Sequence, residues 1–180
     1  KNYHKKCAVN TAYCVAHGAI RIETVGFRDV PLIGKDLDKA KAMVRESIEQ
    51  GAVALSTGMS YYPNCWSTTE ELIELCSSAN KAGGLYVTHL RDVNTERGFE
   101  GGGVAEALEI GRKSGVKVHF SHFRTTAEDF GITSAEQKIS PIDKAKHEVD
   151  STLELYPYPV GSSFAIMTLD SISQDGGTES

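Results

Sequence analysis

The chain has 180 residues, 40% of them hydrophobic and 24% charged, with a net charge of -5. That length suffices to bury one domain's core. The acidic balance, without any basic stripe, argues against a nucleic-acid or anionic-membrane partner, and no apolar run approaches the roughly 20 residues of a membrane span.

Along the chain, short apolar runs alternate with amphipathic stretches. Cys7–His17, "CAVNTAYCVAH", reads as a strand. "DLDKAKAMVRESIEQG" follows with Leu37, Ala40, Val44 and Ile48 on one helical face and Gly51 to close it. Ala52–Gly58, "AVALSTG", is a near-continuous apolar run of the buried parallel type. Ser67-Thr68-Thr69-Glu70-Glu71 then supplies a capping box for a helix over "LIELCSSANKAGG". The strand "LYVTHL", the helix "VAEALEIGRKSG" and the strand "VKVHFSHF" come next. Ser140 and Pro141 fit an N-cap and first helical position for "SPIDKAKHE", and "STLELYPY" closes the series as a strand. Such a β-α alternation gives either an open doubly wound sheet or part of a (β/α)8 barrel. Its chemistry belongs at the C-terminal ends of the strands, where the loops Gly98–Gly103 and Arg124–Ile139 lie. "EGGGVAEAL" lacks the spacing of a phosphate-binding loop.

Two strands end alike, in Thr88-His89 and Ser121-His122. Alternation puts Val118, Phe120 and His122 on one face and lines His89 up with Leu85 and Val87. Two imidazoles at the ends of two apolar faces would meet at the sheet's rim. Neutral imidazole ligates Zn²⁺ well, yet a zinc site needs three or more protein groups, so the pair alone leaves metal binding and plain sheet-edge hydrogen bonding equally open. His17, at the end of the first strand, reads as structural, with Arg21 as a loop anchor. Arg91 is divided between a substrate-carboxylate contact and a salt bridge, and Tyr61 and Tyr62 between an acyl pocket and loop packing. Cys65 reads as a partly exposed loop thiol. The four cysteines, Cys7, Cys14, Cys65 and Cys76, show no paired spacing, which suggests free thiols in a reducing, cytoplasmic setting.

Six segments, "NTAYCVAHGAIR", "GAVALSTGMSYYP", "STTEELIELC", "GGLYVTHLRD", "VHFSHFR" and "LYPYPVGSS", occur in the order seen in the N-acyl-D-amino-acid deacylases (D-aminoacylases) of the amidohydrolase superfamily, and the chain resembles that family from about Asn10 to Ser163. The resemblance implies a (β/α)8 barrel that the chain enters at the third strand and leaves after the seventh, so that residues 1–180 form a partial barrel domain lacking the first two strands and the eighth. It implies that His89 and His122 are zinc ligands, and that Tyr156 and Ser162 help to hold a small N-acyl-D-amino acid, whose amide is hydrolysed. The family's His-x-His pair, its Cys ligand and its general acid/base Asp have no match here, so no catalytic residue is assigned and the rest of the barrel is needed for a complete site. Glu154 stands where the family usually has Asp. Other readings are a non-catalytic remnant or interaction module, and a related amidohydrolase acting on cyclic amides.

Overall fold

Residues 6–91, 97–123, 134–158 and 160 are described by the computed structural model. The strands are β1 (Cys14–Ala16), β2 (Ala54–Gly58), β3 (Leu85–His89), β4 (Val118–Phe120) and β5 (Ser151–Leu153). The helices are α1 (His17–Val25), α2 (Gly34–Glu49), α3 (Thr69–Lys81), α4 (Gly102–Ser114) and α5 (Ala135–Ala145), with one short helical turn at Asn64–Trp66. All strand pairs are parallel and the order is β1-β2-β3-β4-β5. A doubly wound sheet reverses its order at a switch point, whereas a (β/α)8 barrel adds each strand beside the last. The sequential order is therefore that of part of a barrel.

The core lies on one face of this sheet. Val15, Leu55, Tyr86, Val118 and Phe120 from the strands pack with Ala40 and Val44 of α2, Leu72, Leu75 and Ala79 of α3, Leu108 and Ile110 of α4 and Ile142 of α5. The registers pair Leu55 with Tyr86 and Tyr86 with Val118, which puts these side chains on the same side. The other face presents Ser56, Gly58, Val87, His89 and His119.

Helix boundaries differ from the sequence reading at both ends of the chain. β1 keeps only Cys14–Ala16 of the expected run, and Val9 and Tyr13 before it are 74% and 70% exposed. His17 does not end a strand: it starts α1, whose buried residues His17, Ile20, Arg21 and Val25 recur at helical spacing. The final helix starts earlier than Ser140. Ser134 caps it in a full capping box with Gln137, and Pro141 lies inside α5, where it forgoes one main-chain bond. β5 is shorter than the run "STLELYPY". At α3 the expected box is half formed. Thr68 Oγ1 accepts from the Glu71 amide at 3.2 Å, but the Glu71 carboxylate turns inward instead of back to the cap.

That carboxylate is the centre of one of two buried ion pairs. Arg21 Nη1 donates to Glu71 Oε1 and Oε2 at 2.8 and 2.6 Å, and its Nη2 donates to the Val30 carbonyl, which anchors the loop between α1 and α2. Burial pushes the Glu71 carboxyl up, but His17 and Arg21 beside it outweigh that and hold it below the usual carboxylate range. The second pair corrects one reading of Arg91. Its guanidinium donates to both oxygens of Glu106, at 2.8 and 3.0 Å, and to the carbonyls of Cys65 and Ser67. With Arg91 only 4% exposed, this is an interior salt bridge and not a substrate contact. The Gly98–Gly103 segment is correspondingly not all loop. Gly102 and Gly103 open α4, and a Cβ on Gly103 would sit 2.5 Å from the Arg91 carbonyl oxygen, so only glycine lets α4 approach the end of β3 this closely.

Removing one partner of such a pair strands the other charge in the interior. Arg91→Ala is expected to lower unfolding free energy by about 3–5 kcal/mol, read by urea denaturation. A loss under about 1 kcal/mol would contradict the interior pairing.

Candidate active site

The strand ends and the described residues that follow them line a cleft of about 430 Å³, with Ala16, Gly18, Ser56, Tyr61, Asn64, His89, His122 and Glu154 among its walls. It opens at the C-terminal ends of the strands, as the fold requires. His89 is the last residue of β3 and points to the cleft face with Val87. Its backbone is pinned by the Met59 amide, which donates to the His89 carbonyl at 3.0 Å.

His89 Nδ1 and His122 Nε2 face each other at 2.9 Å, with ring centroids 4.6 Å apart. The two histidines do converge, but alternation is not the cause. Val87 pairs with His119 and Thr88 with Phe120, so the Leu85/Val87/His89 face is opposite to the Val118/Phe120 face. β4 ends at Phe120, and His122 adopts the left-handed backbone, with φ of 36°. That turn swings the imidazole over the cleft face. A non-glycine residue pays on the order of 1–3 kcal/mol for such a conformation, and Glu154 offsets it. The Glu154 amide donates to the Phe120 carbonyl at 3.1 Å, its carbonyl accepts from the Phe123 amide at 2.7 Å, and its Oε1 accepts from the His122 amide at 2.6 Å. Glutamate here thus reaches the main chain of the turn.

The Ser60 hydroxyl bears on the His89 tautomer. Ser60 Oγ donates to the Leu90 carbonyl at 3.2 Å, so towards His89 Nε2, 3.1 Å away, it accepts. Nε2 then carries the hydrogen and Nδ1 presents a lone pair to the cleft. Two ligands at a tetrahedral zinc, each about 2.0–2.1 Å from it, lie about 3.3 Å apart. The pair at 2.9 Å is at hydrogen-bond distance and shorter than that separation, so a cation shared by the two rings requires them to part slightly. Among the described residues no group of three or more His, Cys, Asp or Glu side chains could hold a metal.

The other candidates divide. Tyr61 lines the cleft with its ring 4.8 Å from that of His89, and a Cβ on Gly58 would collide with it at 2.5 Å. Tyr62 packs on Trp66, 5.0 Å between centroids. Tyr156 lies 6.4 Å from the His122 ring. Ser162 is outside the described residues. His17 is fully buried, with Nδ1 3.0 Å from Asn64 Oδ1 and Nε2 3.0 Å from Glu71 Oε1, a structural placement. Ser60 and Asn64 carry no sequence signal, since a polar loop residue has no periodicity to betray it.

Cys65 is buried, not partly exposed, and burial raises its thiol to about 11. Because the thiolate reacts and forms only as pH climbs towards that value, iodoacetamide at pH 8 should label exposed Cys7 and spare Cys65, by mass spectrometry. Rapid labelling of Cys65 in the native protein would contradict this burial.

Comparison with known proteins places these features. No family model matches the chain. It is 32% identical over 161 residues to the D-aminoacylase of Alcaligenes xylosoxydans xylosoxydans, covering 87% of this chain and 31% of that protein. With the N-acyl-D-aspartate deacylase of the same organism it shares 32% identity over 159 residues, again 87% of this chain and 31% of the relative. The solved N-acyl-D-glutamate deacylase of Bordetella bronchiseptica, complexed with zinc and a phosphonate mimic of the tetrahedral intermediate, superposes with a TM-score of 0.75 at 26% identity, over 87% of this chain and 32% of that one. A D-aminoacylase structure, described as defining a novel subset of amidohydrolases, gives 0.74 at 29% identity, over 86% and 32%. The chain spans about a third of the length of the relatives it matches. Over that third, in sequence and in fold, it is a relative of the N-acyl-D-amino-acid deacylases of the amidohydrolase superfamily.

Proposed function

We propose that the full-length protein carrying this chain hydrolyses the amide bond of N-acyl-D-amino acids, with zinc held in part by His89 Nδ1 and His122 Nε2. The observation that carries the reading is the convergence of those two nitrogens, 2.9 Å apart, on the wall of a cleft at the C-terminal end of a parallel sheet. Zinc bound there supplies polarisation of the acyl carbonyl and a water of lowered pKa.

This chain's own residues prepare the place. Ser60 keeps the hydrogen of His89 on Nε2 and leaves Nδ1 to ligate, and Glu154 holds the turn that presents His122. The Tyr61 ring shields one side of His89 from water. Tyr156, beside His122, and Ser162 are assigned to holding the acylated substrate. Proton transfer is assigned to the family's aspartate, which has no match in this chain, since Glu154 already spends Oε1 on the main chain. Free thiols at all four cysteines support a reducing, cytoplasmic setting, and no described helix is long and apolar enough to cross a membrane.

The test is hydrolysis of N-acetyl-D- against N-acetyl-L-amino acids by the full-length protein, with metal content measured alongside. Activity on the D series is expected to fall to background in His89→Ala and His122→Ala, and Ser60→Ala to weaken zinc binding about 10–100-fold. Residues 1–180 alone, offering two imidazoles, are expected to bind zinc weakly in calorimetry. Undiminished activity in both histidine variants, or a preference for hydantoins, would contradict the reading.

A further inference from the structure

We infer that Thr88 is a positioning residue for His89, and that Thr57 and Tyr86 complete a chain of three buried hydroxyls running to the His89 carbonyl. This rests on the deacylase reading, in which His89 ligates the metal, and adds the groups that aim it.

The core face of the sheet is apolar at Val15, Leu55, Val118 and Phe120, but it changes beside the cleft. There the register pairs Thr57 of β2 with Thr88 of β3, one position before Gly58 and His89. Tyr86, Thr57 and Thr88 are only 1%, 4% and 1% exposed. Valine and phenylalanine would fill these places without a hydroxyl to satisfy, and a buried hydroxyl is tolerated only when it is bonded.

The three hydroxyls satisfy one another in a single direction. Thr88 Oγ1 donates to the His89 carbonyl at 3.0 Å. A hydroxyl has one hydrogen, so towards Thr57 Oγ1, 3.0 Å away, Thr88 accepts. With its own hydrogen committed there, Thr57 accepts in turn from the Tyr86 hydroxyl, also 3.0 Å away. Burial pushes the Tyr86 phenol up and so keeps its proton in place. All three hydrogens point along the chain to one acceptor, and each bond polarises the next.

His89 needs that anchor. The β3–β4 pairing ends at Thr88 and Phe120, so the ladder holds His89 on the β2 side alone. On that side the Met59 amide donates to the His89 carbonyl at 3.0 Å, and the Thr88 hydroxyl brings a second donor to the same oxygen. Two donors on one carbonyl fix the peptide plane that follows His89. The direction of the imidazole, whose Nδ1 faces His122, is fixed with it.

The test reads two quantities in the full-length protein: zinc affinity by calorimetry, and exchange of the Met59 amide, relative to that of Leu85, in the metal-free form. Thr88→Val is expected to weaken zinc binding about tenfold and to raise the exchange ratio about tenfold. Turnover of an N-acetyl-D-amino acid is expected to fall through kcat, with KM within about twofold of wild type. Thr88→Ser, which restores the hydroxyl, is expected to stay within about threefold of wild type in every reading. Tyr86→Phe leaves the last donor in place and is expected to weaken zinc binding by about two- to threefold. A plain core role would lower the melting temperature of these variants and leave zinc affinity and the exchange ratio unchanged. That outcome, or Thr88→Ser as impaired as Thr88→Val, would overturn the assignment. Should Thr88→Val fail to fold, an unchanged zinc affinity and exchange ratio in Tyr86→Phe would overturn the chain. If His89→Ala keeps full zinc affinity, the deacylase reading fails and the role of Thr88 falls with it. If His89→Ala loses zinc while Thr88→Val does not, the role of Thr88 alone is overturned.

Discussion

The site hangs on one turn. β4 delivers Phe120 to the core, and two residues later the chain must aim an imidazole at the opposite face of the sheet. Alternation along a strand cannot do this, because positions 118, 120 and 122 would stay on one side. The left-handed backbone at His122 does it, and Glu154 makes that conformation tolerable by bonding the turn three times, once through its carboxylate. Strain located beside reacting groups and secured by neighbours is a recurrent feature of functional sites. Here it converts two strand ends into one pair of facing nitrogens.

A second layer of constraint acts on the segment after β2. Two buried ion pairs, Arg21–Glu71 and Arg91–Glu106, lie on either side of it and contact it through Ser67 Oγ, Ser67 O and Cys65 O. Replacing such pairs by apolar residues is often neutral for stability, so their burial is poorly explained as a gain in stability alone. Their geometry accounts for them better. Arg91 fixes the main-chain oxygens of Cys65 and Ser67, and Arg21 holds the Ser67 hydroxyl and the Val30 carbonyl, contacts an apolar residue could not make, and the segment so fixed carries Tyr61 and Asn64 to the cleft wall. Glu71 illustrates the exchange: it gives up its half of the capping box to serve His17 and Arg21.

Much of this was legible in the sequence, and the failures share a cause. The apolar periodicity of α2, α3 and α4 and the apolar runs of β2 and β3 are set by burial on one face, which periodicity reports directly. His89 was placed on its strand end for the same reason. The α1 helix escaped because two of its four buried residues, His17 and Arg21, are polar, so its inner face does not look apolar. Ser134 outranked Ser140 as a cap because it has Gln137 three residues on, whereas Ser140–Pro141 is equally at home inside a helix. Arg91 could not be assigned because its partner, Glu106, lies 15 residues further along the chain, and charge alone does not say which way a side chain turns. The convergence of the histidines was foreseen from a wrong premise, since a single backbone angle at His122 is invisible to residue pattern.

The most direct measurement is a long-range proton–nitrogen correlation spectrum of the histidine rings, with ring-to-ring contacts read from nuclear Overhauser effects, in the protein as it exists. The account predicts a hydrogen on His89 Nε2, none on its Nδ1, which faces His122, and close proton contacts between the two imidazoles of residues 89 and 122. A hydrogen on Nδ1 with the rings out of contact would contradict it, because no cation could then be shared between them.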